Sequence, residues 1–413
     1  MQMIKKIWVL TVALFMMVFA GGWLFFLESE VNGPIPQYVF QTITADSCRS
    51  RTITWQTKVV EGMQQINYRV QPDGEEQSQE VVGIPLATGE EPMLLYTVTL
   101  TNLEPGKVYQ YQVGSKNNWS DWYTFKTPSV DSNVFKTLIF GDSQSIDYSV
   151  WAQTAQGAWL RNQDAAFFIN MGDLVDIGSH YPQWQAWFNG GSGMISNIPV
   201  AAISGNHENY LPGGTYTPAR LYLQLFHLPD NGPTGLKQQA YSFDYRKVHF
   251  VALDSQAEEL ANFQPDLIAK QIKWLDNDLE QTKQPWKVVI VHRSMFKNSK
   301  EGDLNEIGKQ FVPVFDKHKV DIVFTGHIHT YGRTPPLIAG KLATAKQKGT
   351  IYISTGRSGD IACEDTVQKY FEKVFDGCLV QPNYLVLEAE SDYLTITNFC
   401  QDGTFVDSVE LNH

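Results

Sequence analysis

The chain has 413 residues, of which 43% are hydrophobic, 13% aromatic and 18% charged, and its formal net charge is -12 with a sequence pI of about 5.2. A chain of this length can bury one large core and a second, smaller one, so we expect two globular domains. The acidic balance, with no basic run after Lys6, argues against tight binding to nucleic acid.

The amino terminus has the pattern of an export signal. Two lysines precede an apolar run over residues 7–27, which is about the 20 residues that a helix needs to cross a bilayer. We predict that residues 1–33 are an uncleaved signal anchor, with the lysines on the inner side of the membrane and everything after Glu28 outside. Residues 18–21 also fit a cleavage site, so the alternative is a cleaved signal peptide and a secreted or periplasmic protein.

The four cysteines, Cys48, Cys363, Cys378 and Cys400, are compatible with an oxidising compartment. No CxxC spacing occurs, so the cysteines cannot build a zinc site by themselves. Cys363 and Cys378 bracket a stretch that we predict to be helical, and a disulfide between them would staple it. A bond between the other two would link the two domains.

Residues 34–128 have the pattern of an all-β domain. Short segments of alternating polarity, such as residues 52–57 and 66–70, are separated by turn residues, and no helical period occurs. Several strands within about 95 residues are typical of a β-sandwich. The stretch LTNLEPGKVYQYQV resembles the last strands of a fibronectin type III domain, with Leu103, Pro105 and Tyr109 in the corner positions.

From residue 129 to the end, apolar strands alternate with helical segments, which is typical of an α/β domain. Five of these strands end at residue types that bind metals, and a glycine that permits a close backbone approach precedes four of the five. Ligands of open α/β sheets lie beyond the carboxyl ends of the strands, so we expect one shared site. The candidates, in chain order, are Asp142, Asp173, Asn206, His292, His327 and His329.

The chemistry of these side chains predicts a site for two metal ions, since they are too many for one. Carboxylate, amide and imidazole ligands together favour Fe, Mn or Zn, as divalent or trivalent ions, over calcium. Cysteine is absent from the series, which argues against a structural zinc site. Two ions roughly 3.5 to 4 Å apart can hold a hydroxide between them and stabilise a phosphoryl transfer.

The motif series resembles that of the calcineurin-like metallophosphoesterases, from about residue 134 to the end. It is most similar to the purple acid phosphatases, because VIVH matches their VxxH block and GHIHTYGR matches their GHxHxYxR block. The preceding β-sandwich is similar to their amino-terminal domain, for which we expect a structural role. The resemblance implies a four-layer α/β/β/α sandwich, a small-molecule phosphate ester as substrate, and a role for each candidate residue.

The resemblance implies one bridging ligand, further ligands for each of two metals, and one residue that protonates the leaving group or holds the phosphate. Asp173 would be the bridging ligand. The first metal would be bound by Asp142 and His329, and the second by Asn206, His292 and His327. The residue that protonates the leaving group or holds the phosphate would be His207.

Two positions depart from the family pattern. Purple acid phosphatases carry a tyrosine three residues after the bridging aspartate, where this chain has Asp176, so the resemblance does not imply their ferric charge-transfer colour. We expect Asp176 to act as a supporting or structural residue. Gln144 stands where many simpler relatives have a histidine, and it is either a weak ligand of the first metal or a turn residue.

Several neighbours of the motifs allow two interpretations. Arg293 could bind a phosphate or form a surface salt bridge. For Tyr331 and Arg333 we expect packing roles rather than site roles. Residues 181–188, with aromatic side chains at near-helical spacing, are expected to form a core-facing helix, and residues 355–359 could form part of the rim.

The sequence therefore predicts an exported two-metal phosphoesterase, in which metal-bound hydroxide attacks a phosphate monoester and His207 assists the leaving group. One alternative is a phosphodiesterase or nucleotide hydrolase of the same fold. The other is a non-catalytic surface protein that binds a partner.

Overall fold

The computed structural model describes residues 33–59, 63–89, 91–361, 369–376, 380–390 and 392–412. The predicted membrane segment and the predicted pair Cys363 and Cys378 lie outside these residues and stay predictions. Among the helices that the structure describes, none is both long enough and apolar enough to cross a membrane. Within the same residues, Cys48 and Cys400 are free thiols.

The amino-terminal region consists of strands, as the alternating pattern predicts. In β7 the side chains of Tyr109, Tyr111 and Val113 are buried while those between them face outward. The phenol of Tyr109 accepts a hydrogen bond from the backbone N–H of Glu104 at 2.8 Å, which fixes the corner before this strand. The strands are β1 (Gln37–Thr42), β2 (Arg51–Lys58), β3 (Gln64–Val70), β4 (Gln77–Val81), β5 (Ile84–Leu86), β6 (Met93–Leu100), β7 (Val108–Ser115), β8 (Asn118–Trp119) and β9 (Tyr123–Lys126).

The second region alternates strands and helices up to residue 355 and ends in an antiparallel meander. Its elements are β10 (Phe135–Phe140), α1 (Tyr148–Arg161), β11 (Phe167–Asn170), α2 (Tyr181–Ile195), β12 (Val200–Ala202), β13 (Tyr210–Leu211), β14 (Thr215–Tyr216), α3 (Arg220–Leu225), β15 (Tyr241–Tyr245), β16 (Val248–Leu253), α4 (Leu267–Gln281), β17 (Trp286–Val291), α5 (Glu306–His318), β18 (Ile322–Thr325), β19 (Tyr331–Arg333), β20 (Leu337–Ile338), β21 (Lys341–Leu342), β22 (Ile351–Thr355), β23 (Lys373–Phe375), β24 (Asn383–Ala389), β25 (Tyr393–Cys400) and β26 (Phe405–Asn412).

Two large sheets face each other and helices cover their outer faces. One sheet has the order β26-β25-β24-β10-β11-β12-β1-β2-β6-β5, and the other has the order β15-β16-β17-β18-β22-β19-β23. Along β17, Val288 and Ile290 belong to the core shared with the first sheet, whereas Val289 and Val291 pack with residues of α4 and α5. This alternation confirms the predicted four-layer α/β/β/α sandwich.

The first sheet continues from the amino-terminal region into the second region. Strand β1 pairs in parallel with β12, with Thr42 opposite Val200. Without β1, the outer edge of β12 would expose unpaired backbone groups. One sheet therefore contains strands from both sides of the predicted boundary between residues 128 and 129. The division into two domains at this point stays a prediction.

Two local predictions have different outcomes. The aromatic segment after residue 180 forms α2, and Tyr181, Trp184 and Trp187 are buried in the core, as expected. The helix predicted between Cys363 and Cys378 is wrong for Lys373–Phe375, which form β23. Pairing with the exposed edge of β19 outweighs the helical spacing of these residues, and Gly332 lies opposite Val374.

Candidate metal centre

All the predicted site residues lie at one edge of the α/β sandwich. They follow the carboxyl ends of β10, β11, β12, β17 and β18, where the backbone leaves the sheets. Five of the side chains are at most 2% exposed, namely Asp142, Gln144, Asp173, Asn206 and His292. His207, His327 and His329 are partly exposed and line a cavity of about 450 Å³.

One half of the site is built around His292. Its Nδ1–H donates to the backbone carbonyl of Met171 at 2.8 Å, so Nε2 faces the site. Nε2 lies 3.0 Å from Oδ1 of Asn206 and 3.2 Å from Oδ2 of Asp173. The ligand atoms of Asp173, His292 and His327 all lie within 4.8 Å of one another, which is a group that could hold a metal ion.

The other half contains Asp142, Gln144 and His329. Nε2 of Gln144 lies 3.3 Å from Oδ2 of Asp173 and 3.4 Å from Nε2 of His329. Oδ2 of Asp142 and Oε1 of Gln144 are buried and have no hydrogen-bond partner among the described residues. An unsatisfied buried oxygen costs about 1 to 3 kcal/mol. These atoms are therefore free for a cation, and the residues fit a metal on this side as well.

Asp173 joins the two halves because its Oδ2 lies near His292 in one half and near Gln144 in the other. Oδ1 accepts the backbone N–H of His207 at 2.9 Å, while Oδ2 faces His292 and Gln144. Its backbone has a φ of 50°, and Gly205 lies so close that a Cβ there would come within 2.1 Å of Oδ1. The glycine in GNH is thus required for the approach of this carboxylate.

The ionisable groups of the site have strongly shifted pKa values. Burial raises the pKa of Asp142 to about 6, with His292 the largest opposing influence. Burial also opposes ionisation of Asp173, but neighbouring imidazoles outweigh it and hold the pKa of this carboxyl far below its usual range. Burial disfavours charge on His292, yet the nearby carboxylate of Asp173 raises its pKa to about 9. Asp173 thus keeps a buried negative charge, which the neighbouring imidazoles stabilise.

His207 lies at the cavity wall with one ring nitrogen directed away from it. Its Nδ1–H donates to the backbone carbonyl of Asp176 at 2.7 Å, and its Nε2 is 4.0 Å from Oδ2 of Asp173. Burial opposes protonation of His207, but the carboxylates of Asp173 and Asp176 outweigh it and raise its pKa to about 10. The ring packs against Tyr210, with 4.5 Å between centroids. This arrangement presents a proton donor to the cavity.

Glu208 supports the site, although no motif in the sequence identified it. Its carboxylate is 2% exposed and accepts hydrogen bonds at 2.7 to 3.3 Å from four backbone N–H groups, those of Asp173, Leu174, Val175 and Gly205. It therefore ties the loop after β11 to the loop after β12. The signal that could have found it was an acidic residue directly after Asn206 and His207 in a segment expected to be buried.

The backbone of the segment from Gly326 to His329 is not extended at His327. His327 has a φ of 65°, in the left-handed region, because its N–H turns toward Oδ1 of Asp142 at 3.0 Å. The two imidazoles consequently lie in different halves of the site, His327 with His292 and His329 with Gln144. The assignment of one histidine to each metal stays a prediction.

The structure also shows the contacts of the residues near the motifs that the sequence left with two interpretations. Tyr331 and Arg333 both contact Asp407 of β26 at 2.8 Å, so they have the expected packing roles. The backbone N–H groups of Ser358 and Gly359 donate to the carbonyl of Asp142 at 2.9 and 3.0 Å, so this segment supports the first ligand loop. Asp176 contacts His207 and belongs to neither ligand group.

Gln144 offers a direct test of its assignment as a ligand. We expect Gln144→Ala to lose one metal in preference to the other, because it removes a buried oxygen that is free for a cation. It also removes the hydrogen bond from Nε2 to Oδ2 of Asp173 at 3.3 Å. Gln144→Glu, which keeps an oxygen in that position, should retain both metals. Elemental analysis of the purified variants would measure this. An unchanged metal content in Gln144→Ala would exclude Gln144 as a ligand, and its role would then be the hydrogen bond to Asp173.

Two segments of the sequence match families of known proteins. Residues 36–127 match the family described as purple acid phosphatase, N-terminal domain, and residues 135–331 match the family described as calcineurin-like phosphoesterase. The fibronectin type III likeness stays a prediction. The four-layer sandwich with its ligand-bearing strand ends therefore defines a calcineurin-like metallophosphoesterase.

Similar proteins indicate which group of calcineurin-like metallophosphoesterases this chain resembles. Purple acid phosphatase 21 of Arabidopsis thaliana is 27% identical over 272 residues, which cover 64% of this chain and 58% of the relative. A second Arabidopsis protein, named probable inactive purple acid phosphatase 1, is 27% identical over 320 residues, covering 65% of this chain and 49% of its own length. The structure of purple acid phosphatase PPD1 from yellow lupin (Lupinus luteus) seeds has the same fold, with a TM-score of 0.77, 20% identity, and coverage of 92% of this chain and 75% of that one. Within its class, the chain belongs to the purple acid phosphatase-like proteins.

Proposed function

We propose that this chain is an exported two-metal phosphoesterase that hydrolyses small phosphate esters, monoesters in preference to diesters. The observation that carries the proposal is the convergence of six candidate ligands around a seventh, Asp173, including the buried free oxygens of Asp142 and Gln144. The similarity to purple acid phosphatase 21 supports it, although the match covers only 58% of that relative. The similarity to the relative named probable inactive, of which 49% is covered, does not distinguish it from the non-catalytic alternative. Export rests on the amino-terminal pattern alone, and Fe, Mn or Zn fits the ligand types.

The cavity beside the ligands suits a small anion. A volume of about 450 Å³ is within the range of small-molecule sites. Arg293 and Lys297 line it, and Asp173 is the only carboxylate among its described lining residues. A phosphate ester therefore meets positive charge in the wall and at the metal centre.

The chain's residues have separate tasks in hydrolysis. Ions bound here would activate a water molecule and neutralise charge on the phosphoryl oxygens. Asp173 would hold both halves of the site together, and Glu208 would keep its loop in place through four backbone hydrogen bonds. His207, fixed by its hydrogen bond to Asp176, would donate a proton to the leaving oxygen.

The role of His207 can be tested through the leaving group. We expect His207→Ala to slow hydrolysis of alkyl phosphates about 100-fold, but of aryl phosphates by less than about 10-fold, because an aryl oxide leaves without a proton. Bound metal should not change. Steady-state kinetics on both ester classes, with elemental analysis, would measure these effects.

A matched control is His318→Ala, which removes a histidine from the outer helix α5, where it pairs with Asp276 at 2.7 Å. Hydrolysis of both ester classes should be unaffected in this control. If His207→Ala slowed both classes equally with metal retained, His207 would not be the acid.

A further inference from the structure

Arg293, the residue after His292, is held at the cavity wall by three contacts. Its Nη2–H donates to Oε1 of Glu259 at 2.6 Å and its Nε–H to Oε1 of Gln256 at 3.4 Å. Its Nη1 lies 3.3 Å from Nε2 of His327. The side chain is 19% exposed. The guanidinium is therefore fixed between a buried support and the metal centre.

The support of Arg293 is itself buried. The side chain of Glu259 is 3% exposed, and its Oε2 has no hydrogen-bond partner among the described residues. Gln256 is anchored in turn by its Nε2–H, which donates to the carbonyl of Ser204 at 3.2 Å. A buried ion pair contributes little to stability compared with an apolar pair of the same size. A role for the guanidinium in the cavity accounts better for this arrangement than stability does.

The contact between Arg293 and His327 depends on what His327 binds. An imidazole nitrogen has one lone pair, so it cannot accept from Nη1 and bind a metal at the same time. When Nε2 of His327 binds an ion, the Nη1–H loses its acceptor while Glu259 still holds the other side of the guanidinium. The released N–H then lies beside the metal centre, where a phosphoryl group would bind.

We propose that Arg293 binds a terminal phosphoryl oxygen and thereby determines the preference for monoesters over diesters. The proposal rests on the proposed function. A monoester has three terminal oxygens, so one remains for Arg293 when two are taken up at the metal centre. A diester has only two, and its third position is an ester oxygen with an organic group that a guanidinium cannot bind as an anion.

The test compares Arg293→Lys with the wild-type protein, both loaded with metal. Lysine keeps a positive partner for Glu259 but lacks the forked N–H geometry. We expect about a 10- to 100-fold weaker affinity for inorganic phosphate and a similar fall in kcat/KM for 4-nitrophenyl phosphate, because a hydrogen bond between charged groups is lost. For bis(4-nitrophenyl) phosphate, kcat/KM should fall less than about 3-fold. Calorimetry with inorganic phosphate provides a measure that does not depend on turnover.

Two further variants show whether the guanidinium itself causes the selective loss. The double variant Glu259→Gln with Arg293→Gln removes the guanidinium without leaving a buried charge, and it should show the same selective loss. Arg69→Lys makes the same exchange at an Arg–Glu pair of the amino-terminal sandwich, 3.8 Å from Glu76, and should change nothing.

Unchanged phosphate affinity in Arg293→Lys, or equal losses on the two esters, would overturn the proposal. Loss of metal from Arg293→Lys and from the double variant would overturn it too, since the guanidinium would then be needed for metal binding and not for binding the phosphoryl group. Absence of metal or of hydrolysis in the wild-type protein would contradict the proposed function instead.

Discussion

Asp173→Asn is expected to lower kcat/KM for phosphate esters roughly 1,000-fold or more and to lower the bound metal. The carboxylate lies between the two halves of the site, with one oxygen facing His292 and Gln144 and the other facing the loop of His207. The amide of asparagine is neutral, so it binds a cation more weakly than the carboxylate and does not offset the charge of two ions. Steady-state kinetics and elemental analysis of the same preparation would measure both effects.

Asp176→Asn is the matched control for this substitution. Asp176 lies in the same loop and its replacement removes the same charge, but its side chain contacts His207 at 3.3 Å and lies in neither ligand group. We expect this variant to keep its metal. Full activity and full metal content in Asp173→Asn would exclude the bridging role.

Glu208→Ala is expected to reduce the free energy of unfolding by about 3 to 5 kcal/mol. The substitution leaves four backbone N–H groups of the ligand loops without their acceptor in a site that is 2% exposed. Denaturant unfolding in the presence of a chelator would separate this effect from stabilisation by bound metal. We also expect metal affinity to fall about 10- to 100-fold, as for other residues that orient ligands.

Glu80→Ala serves as the control for Glu208→Ala. Glu80 is exposed on β4 of the amino-terminal sandwich, and its removal should change the free energy of unfolding by less than about 0.5 kcal/mol. Similar stability of the Glu208→Ala and Glu80→Ala proteins would show that the carboxylate of Glu208 does not hold the loops.

The parts of the fold with a local signal could be predicted. Four of the apolar strands are followed by Gly-Asp, Gly-Asn-His or Gly-His, so the positions of these strand ends followed from the sequence pattern. The four layers were implied by the resemblance to the calcineurin-like metallophosphoesterases and not by the pattern. The ligands converge because parallel strands present their carboxyl ends at the same edge. The packing of α2 followed from the spacing of its aromatic residues.

The parts that depend on distant contacts could not be predicted. The pairing of β1 with β12 joins residues far apart in the chain, and no local pattern indicates it. The left-handed backbone of His327 results from a hydrogen bond to Asp142, and the role of Glu208 results from N–H groups supplied by two loops. Residues Lys373–Phe375 have helix-like spacing, but an open strand edge determines their structure.

The most direct test of the two-metal hydrolase is elemental analysis of the carefully purified protein, followed by a panel of monoesters and diesters with the same sample. We expect two metal ions per chain, of Fe, Mn or Zn, and faster release of product from monoesters than from diesters. Fewer than one metal ion per chain, with no hydrolysis of any ester after reconstitution with metal, would contradict a two-metal hydrolase and favour a non-catalytic surface protein.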